Sequence, residues 1–150
     1  MNDKQNSIQE IEAWFKKAKP NPTSQNIVQQ TSYCLEEIKE LFEAMNLSYA
    51  ASFMGELKEC LLEVSRQGEE ACELMIKSWD KKELLDAACD VTITLVGVST
   101  YLGQNFPGAL QEVSDSNNSK FDTLGNPILN QDGKILKGHH YFKPNLDPFL

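Results

Sequence analysis

The chain has 150 residues, 41% of them hydrophobic and 24% charged, and its formal net charge is -8 at pH 7. These values are typical of a soluble protein long enough to bury a sizeable core, and we expect one domain spanning residues 1–150. The acidic balance argues against nucleic-acid binding through a basic surface. No apolar stretch typical of a signal peptide follows Met1, which predicts a cytoplasmic protein.

Apolar residues recur at helical spacing through most of the first 116 residues. Thr23 or Ser24 can cap the second helical segment, and Asp80 with Glu83 forms a capping box before the fifth. We therefore expect an all-α, four-helix-bundle-type core of four to five helices over about 7–116. Its helical segments are about 7–18, 25–46, 51–65, 69–79, 81–102 and 107–115.

The last part of the chain is rich in Asn, Gly, Asp and Pro, which predicts a loop-rich tail over 117–150. Ile128-Leu129 and Lys134–Leu136 flank the turn-forming sequence Gln131–Gly133. This pattern is typical of a small hairpin.

No charged residue lies between Val91 and Gln111. Threonine, serine and glycine interrupt this segment, and its apolar part is shorter than the roughly 20 residues that span a membrane. We predict a buried helix that also meets another subunit, and no membrane partner.

The four cysteines, Cys34, Cys60, Cys72 and Cys89, lie in apolar helical stretches and show no CxxC spacing. We expect reduced thiols in the core of a cytoplasmic protein. A zinc site or a disulfide is the alternative.

Two acidic clusters lie within the predicted helices. Glu36, Glu37 and Glu40 lie in the second helix. Glu36, Glu40 and Glu43 form a stripe along this helix, and such a stripe is usually a solvated face. Asp86 and Asp90 lie one turn apart among apolar residues, where a buried and unpaired carboxylate is costly. We expect the two helices to pack so that these carboxylates converge on cations. Oxygen ligands favour Mg²⁺, with Mn²⁺ as a substitute, and no His or Cys is interleaved at zinc spacing.

Hydrogen-bond donors concentrate in the tail, at Asn117, Ser119, Lys120, Lys134, Lys137 and Tyr141. A triphosphate needs such donors on its outer oxygens, although any one of them is more commonly an ordinary surface or turn residue. His139 and His140 are expected to be solvent-exposed, with ligation or general-base chemistry as the alternative. Trp14 and Trp79 are expected to pack in the core or at helix ends, although an aromatic ring can also stack on a base.

Four motifs occur in order along the chain. They are Glu36-Glu37-x-x-Glu40, Asp86-Ala87-Ala88-Cys89-Asp90, Ser116-Asn117-Asn118-Ser119-Lys120, and Asp132–Gly138 followed by Tyr141. Together they resemble the all-α nucleoside triphosphate pyrophosphohydrolases. This MazG-like superfamily also includes the phosphoribosyl-ATP pyrophosphohydrolases and the dimeric dUTPases. The resemblance covers about Trp14 to Pro144.

The resemblance implies a Mg²⁺-dependent housekeeping enzyme that hydrolyses nucleoside triphosphates, including deoxynucleotides, to a monophosphate and pyrophosphate. It implies that the metal ligands are Glu36, Glu37, Glu40 and Asp90, with Asp86 at an outer acidic position, and that Glu37, Glu40 and Asp90 carry catalysis. Asn117 would contact the nucleotide, and the phosphates would be held by Lys120, Lys137 and Tyr141. A protein nucleophile is not required, because metal ions lower the pKa of bound water.

Two positions depart from the family pattern. Ala87 stands where many members carry the glutamate of an ExxD motif, which leaves the second motif as DxxxD. This form resembles the phosphoribosyl-ATP branch and phage-type members, and it bears on the ligation of a second metal. Asp115 stands where a basic residue is common, which bears on phosphate or subunit contacts.

Two alternatives stay open beside this activity. One keeps the chemistry and changes the substrate to phosphoribosyl-ATP. The other is a non-catalytic helical interaction module, whose acidic residues are surface groups or bind calcium.

Overall fold

Six α-helices make up most of the chain in the computed structural model of the protein, which describes residues 7–130 and 135–150. They are α1 (Ser7–Ala18), α2 (Ser24–Ala44), α3 (Ser48–Arg66), α4 (Glu69–Lys77), α5 (Lys81–Tyr101) and α6 (Phe106–Asn118), and a short 3-10 helix, Asp147–Phe149, lies near the C-terminus. The all-α prediction is confirmed, although the described chain has six α-helices rather than four or five.

The chain divides into two compact units. Unit 1 comprises Met1–Pro20 and Leu85–Leu150, and unit 2 comprises Asn21–Leu84. Unit 1 therefore holds α1, most of α5 and α6, and unit 2 holds α2, α3 and α4. The expectation of one domain over residues 1–150 stays a prediction.

The centre of unit 2 is α2, which packs against both α3 and α4. Its N-terminus has the predicted cap, because Thr23 Oγ1 accepts a hydrogen bond from the Asn26 N–H at 3.2 Å. One apolar side chain from each helix is buried: Val28 from α2, Ala51 from α3 and Cys72 from α4. These side chains are small, so the three helices can approach closely around a short apolar core.

Glu69 joins α4 to the start of α2. Its carboxylate accepts hydrogen bonds from the backbone N–H groups of Ser24 and Gln25, at 2.6 and 3.0 Å. These two N–H groups have no partner within α2, since the first turn of a helix leaves its donors unsatisfied. The hydrogen bond from Gln25 is the main reason why the pKa of Glu69 is lowered.

We expect Glu69→Gln to lower the melting temperature at neutral pH. The folded-state pKa lies below the unfolded value of about 4.3, so the ionised carboxylate stabilises the fold above that pH. The contribution is lost as the pH falls through the folded-state pKa. Calorimetry of both proteins between pH 7 and about pH 3 should therefore show melting curves that converge on acidification.

The control for this prediction is Glu70→Gln, since Glu69 and Glu70 both lie in the first turn of α4. This variant removes the same charge next to the N-terminus of α4 and leaves the hydrogen bonds to α2 intact. Equal melting temperatures for the two variants at pH 7 would contradict a role for Glu69 at the start of α2.

In unit 1, α1 packs against α6, and the C-terminal tail follows α6. The Ser116 hydroxyl donates a hydrogen bond to the Phe142 carbonyl at 2.8 Å. Near the other end of α6, the Asn105 N–H donates to the Phe149 carbonyl at 2.8 Å. Both ends of the helix thus hold the tail in place.

Part of the predicted hairpin is present in the tail. Leu129 and Ile135 form an antiparallel bridge, and the Leu136 N–H donates a hydrogen bond to the Ile128 carbonyl at 2.7 Å. The turn sequence expected between them, with Lys134 next to it, lies outside the described residues.

Helix α5 has the ends that the sequence predicts. Asp80 Oδ1 accepts hydrogen bonds from the N–H groups of Lys82 and Glu83, at 3.0 and 3.1 Å, so Asp80 caps the helix. The helix ends before Gly103, whose φ of 79° lies in the left-handed region that favours glycine.

The surface of α5 differs from the prediction. No residue of α5 is buried, and within unit 1 this helix packs against neither α1 nor α6. Leu85 and Ile93 are 67% and 66% exposed. The prediction of a buried helix is therefore wrong for the single chain, because no other helix of unit 1 covers its apolar surface.

Among the described residues, α5 alone is long and apolar enough to cross a membrane by length and composition. Core helices of soluble proteins share these properties, and the charged residues of α5 all lie in its first half. The cytoplasmic location and the absence of a membrane partner stay predictions.

All four cysteines are free thiols, but only Cys72 is buried. Cys34, Cys60 and Cys89 are exposed. The prediction of core thiols is right for Cys72 and wrong for the other three, because their helix surfaces are not covered by the chain itself.

Candidate functional site

The acidic cluster of α2 consists of Glu36, Glu37 and Glu40, and Glu36 contacts α3. Glu36 is half-buried, and its carboxylate forms an ion pair with Lys58 of α3 at 3.2 Å. Glu37 and Glu40 are exposed and lie three residues apart, which places them on one surface of α2. The helix therefore presents two carboxylates outward and holds the third against a lysine.

The pKa of Cys34 is affected by the negative charge of this surface. Partial desolvation raises the pKa of its thiol, and the negative charge of Glu37 raises it further. Glu37 follows Cys34 by three residues, so the two side chains share a helix face. Ionisation of the Cys34 thiol is therefore disfavoured beside the acidic cluster.

The second cluster lies on α5. Asp86 and Asp90 are four residues apart, are both exposed, and so share one surface of the helix. The chain continues beyond them with no further charge until after Gln111. The structure thus confirms that both aspartates belong to one apolar helix, but it does not bury them within the chain.

The predicted convergence of the two clusters stays a prediction, because Glu36, Glu37 and Glu40 belong to unit 2 whereas Asp86 and Asp90 belong to unit 1. Within 7–130 and 135–150, no three acidic, histidine or cysteine side chains are grouped closely enough to hold a metal ion. Neither cluster by itself supplies a full set of ligands.

The chemistry of the donors fits Mg²⁺. All five predicted ligands are carboxylates, which are the hard oxygen donors that Mg²⁺ and Mn²⁺ prefer. Glu37 and Glu40 are open to solvent, as Mg²⁺ requires when it keeps several waters. Glu36 is the exception, since its carboxylate would have to leave Lys58 or share it with the metal.

The predicted substrate-binding residues form two pairs in unit 1. Lys120 Nζ donates a hydrogen bond to Asn117 Oδ1 at 2.6 Å, just after the end of α6. Lys137 Nζ lies 4.6 Å from the centre of the Tyr141 ring, a cation–π contact. Each pair thus brings a cation to a polar or aromatic partner in the tail.

Hydrogen bonds fix this part of the tail to the end of α6. The Phe142 N–H donates to Ser119 Oγ at 3.1 Å, and the Ser119 hydroxyl donates to the Ser116 carbonyl at 2.6 Å. The Tyr141 N–H donates to the Gly138 carbonyl at 3.1 Å. The third motif and the residues around Tyr141 are therefore joined by hydrogen bonds.

The sequence did not indicate an open cleft between α1 and the end of α6. This cleft has a volume of about 250 Å³ and is lined by Glu10, Ala13, Trp14, Lys17, Asn118 and Phe121. Four of these residues recur along α1 at helical spacing, which was the available signal. Lys58 was also not predicted, since nothing in the sequence links it to Glu36.

Trp14 is half-buried, in agreement with the predicted packing role. Its ring stacks on Phe121, with centroids 5.5 Å apart and planes within 7°. The indole N–H donates a hydrogen bond to the Asn117 carbonyl at 3.0 Å. Trp14 therefore joins the cleft directly to the motif that contains Asn117 and Lys120. No family model, curated protein or solved structure matches this chain, so its place in the MazG-like superfamily stays a prediction based on the four motifs.

Proposed function

We propose that the protein is a Mg²⁺-dependent nucleoside triphosphate pyrophosphohydrolase, which releases pyrophosphate and a nucleoside monophosphate. The observation that carries the proposal is a pair of exposed acidic surfaces on two helices, Glu37 with Glu40 on α2 and Asp86 with Asp90 on α5. The second surface is the more telling one, because an apolar helix gains nothing in stability from two neighbouring like charges.

The carboxylates of Glu37, Glu40 and Asp90 would hold the metal, with Glu36 and Asp86 completing the acidic set. Bound Mg²⁺ would neutralise phosphate oxygens and favour attack by water. Lys58 would keep Glu36 oriented and would limit repulsion among neighbouring carboxylates.

The tail would bind the part of the substrate that the carboxylates repel. Lys120 and Lys137 bring positive charge to a chain whose net charge is -8, and Tyr141 adds a hydroxyl donor. Asn117 and Lys120 already contact each other at 2.6 Å, so one ligand oxygen can meet both side chains. The anchoring of the tail to α6 would hold these donors in a fixed arrangement.

A second copy of the chain is the proposed partner of α5, in a homodimer or homotetramer. An apolar helix surface is normally buried, and the apolar surface of α5 is not buried by its own chain. Its apolar residues form a seam at alternating spacings of four and three residues, as in helices that pair along their length. The seam consists of Leu84, Ala88, Val91, Leu95 and Val98, and Leu102 continues it just after the end of α5.

This seam lies away from the acidic surface of the same helix. Asp86 and Asp90 follow seam residues by two positions, which is about 200° around a helix. Pairing through the seam would therefore leave the two carboxylates on the outer side of α5. A bundle-type core completed by two chains is compatible with this arrangement.

A non-catalytic interaction module is the second candidate, and the exposed apolar surface of α5 favours it. Its acidic residues would then be ordinary surface groups. Phosphoribosyl-ATP as the substrate is the alternative within the same chemistry, consistent with Ala87 in the second motif.

The test is a measurement of pyrophosphate release from a panel of nucleoside and deoxynucleoside triphosphates and phosphoribosyl-ATP. We expect turnover with Mg²⁺, slower or equal turnover with Mn²⁺, and none in excess EDTA. Turnover of phosphoribosyl-ATP alone would identify that substrate. No release from any member of the panel, with the protein folded and Mg²⁺ present, would leave the interaction module.

A further inference from the structure

The cleft is lined on one side by α1 and on the other by residues at the end of α6 and just after it. Glu10, Trp14 and Lys17 share one face of α1, and Asn118 and Phe121 face them from the other side. At about 250 Å³ the cleft is smaller than the sites that enclose drug-sized ligands, which begin at roughly 300 Å³. Its size therefore suits one ring system rather than a whole nucleotide.

The aromatic wall is held in place on several sides. Trp14 stacks on Phe121 and meets the edge of Phe15 at 5.0 Å between ring centres, with the rings nearly perpendicular. Phe121 is only 7% exposed, and Lys17 Nζ lies 5.1 Å from the centre of its ring. These contacts fix the orientation of Trp14, whose half-buried ring is the aromatic surface of the cleft that a planar ligand can still reach.

The cleft contains both hydrogen-bond donors and hydrogen-bond acceptors. Gln111 Nε2 donates to Glu10 Oε2 at 2.6 Å, which orients that carboxylate as an acceptor. Lys17 supplies a cationic donor, and the Asn118 amide can both donate and accept. A ring that carries an amino group beside a carbonyl or ring nitrogen matches these groups.

The cleft is continuous with the predicted nucleotide-binding residues. Trp14 donates its indole N–H to the carbonyl of Asn117, whose side chain accepts from Lys120. Asn118 follows Asn117 in the chain, and Phe121 follows Lys120. A base in the cleft would therefore place its sugar and phosphates next to Asn117 and Lys120.

We infer that this cleft is the base-binding subsite of the protein and that it favours nucleobases with an exocyclic amino group. The identity of the ligand rests on the proposed hydrolysis of nucleotides. The preference for a base comes from the cleft. Glu10 would accept a hydrogen bond from the amino group, and Lys17 and Asn118 would donate hydrogen bonds to the acceptors of the ring. Cytosine, adenine and guanine carry such an amino group, whereas thymine and uracil do not.

The experiment is a fluorescence titration with free nucleosides, which have no phosphate and need no metal. In a Trp79→Phe variant, Trp14 is the remaining tryptophan. Cytidine or adenosine should change its fluorescence saturably, and uridine should do so at least about tenfold more weakly, the size expected for one hydrogen bond to a charged group. No saturable change with any nucleoside up to millimolar concentration would overturn the inference.

Two neighbouring lysines give a matched pair of variants. Both lysines are exposed, but Lys17 lines the cleft, whereas Lys16 lies outside it and pairs with Glu12 at 2.6 Å. Lys17→Gln should weaken cytidine binding about tenfold, and Lys16→Gln should leave it unchanged. Asn118→Ala should weaken binding as well. Equal affinities for the two lysine variants would also overturn the inference.

The outcomes separate this inference from the proposed activity. Nucleoside binding at Trp14 without any triphosphate hydrolysis would keep the subsite and remove the enzyme. Hydrolysis with the same KM for CTP in the Lys17→Gln and Lys16→Gln variants would keep the enzyme and remove the subsite.

Discussion

Glu40→Gln and Asp90→Asn should each lower kcat/KM for triphosphate hydrolysis by at least about 100-fold, the loss typical of one preorganised electrostatic contact to the reacting groups. Both substitutions keep the size of the side chain and remove one negative charge. Both residues are exposed in the isolated chain, so the fold has little to lose. The measurement is pyrophosphate release at saturating Mg²⁺, together with the melting temperature of each variant.

Glu43→Gln is the control on the same helix. Glu43 follows Glu40 by three residues but pairs with Lys39 at 3.1 Å, an exposed helix pair that contributes little. It should keep nearly full activity. If Glu43→Gln lost as much activity as Glu40→Gln, the effect would reflect the general charge of α2 rather than a ligand position. If Asp90→Asn kept full activity, α5 would have no part in the proposed site.

Val91→Asp should dissociate the proposed oligomer, raising its dissociation constant by at least about 100-fold, because it places an unpaired charge in the middle of the α5 seam. Val91 is 50% exposed in the single chain, so the substitution buries no charge within the protomer. Analytical ultracentrifugation over a range of concentrations measures the effect. Circular dichroism should show that the helical content of the variant is retained.

Ile93→Asp is the matched control. Ile93 is 66% exposed and lies only two residues beyond Val91, but on the opposite side of α5. The same charge at that position should leave the oligomer intact. A wild-type protein that sediments as a monomer at all concentrations would contradict the seam outright. Equal dissociation by both variants would show that α5 is enclosed on more than one side.

Local patterns predicted most of the helices, because caps and turns act over a few residues. Thr23 and Asp80 were identified as caps from their side chains and from the periodic segments that follow them, and both accept the expected hydrogen bonds. Gly68 lies between the segments predicted at 51–65 and 69–79, and its φ of 100° lies in the region that favours glycine. Such features need no knowledge of the rest of the fold.

Contacts between distant segments were beyond the reach of these patterns. The hydrogen bonds from Ser24 and Gln25 to Glu69 join positions more than 40 residues apart, and no local rule selects Glu69 among the acidic residues. The ion pair of Glu36 with Lys58 is of the same kind. The prediction that α5 is buried was wrong for a related reason. An apolar helix is buried only if another part of the protein packs on it, and no other helix of unit 1 packs on α5.

By itself the sequence determined an all-α chain, its helix ends, and the pairing of acidic residues on α2 and on α5, since each depends on a spacing of three or four residues. Only the tertiary structure decided which acidic side chains are exposed, where Trp14 and Phe121 border a cleft, and which helix is left uncovered. Those properties arise where segments that are distant in the sequence pack together. The energy of that packing depends on the shapes and polar groups of both segments, so no short stretch of sequence determines it.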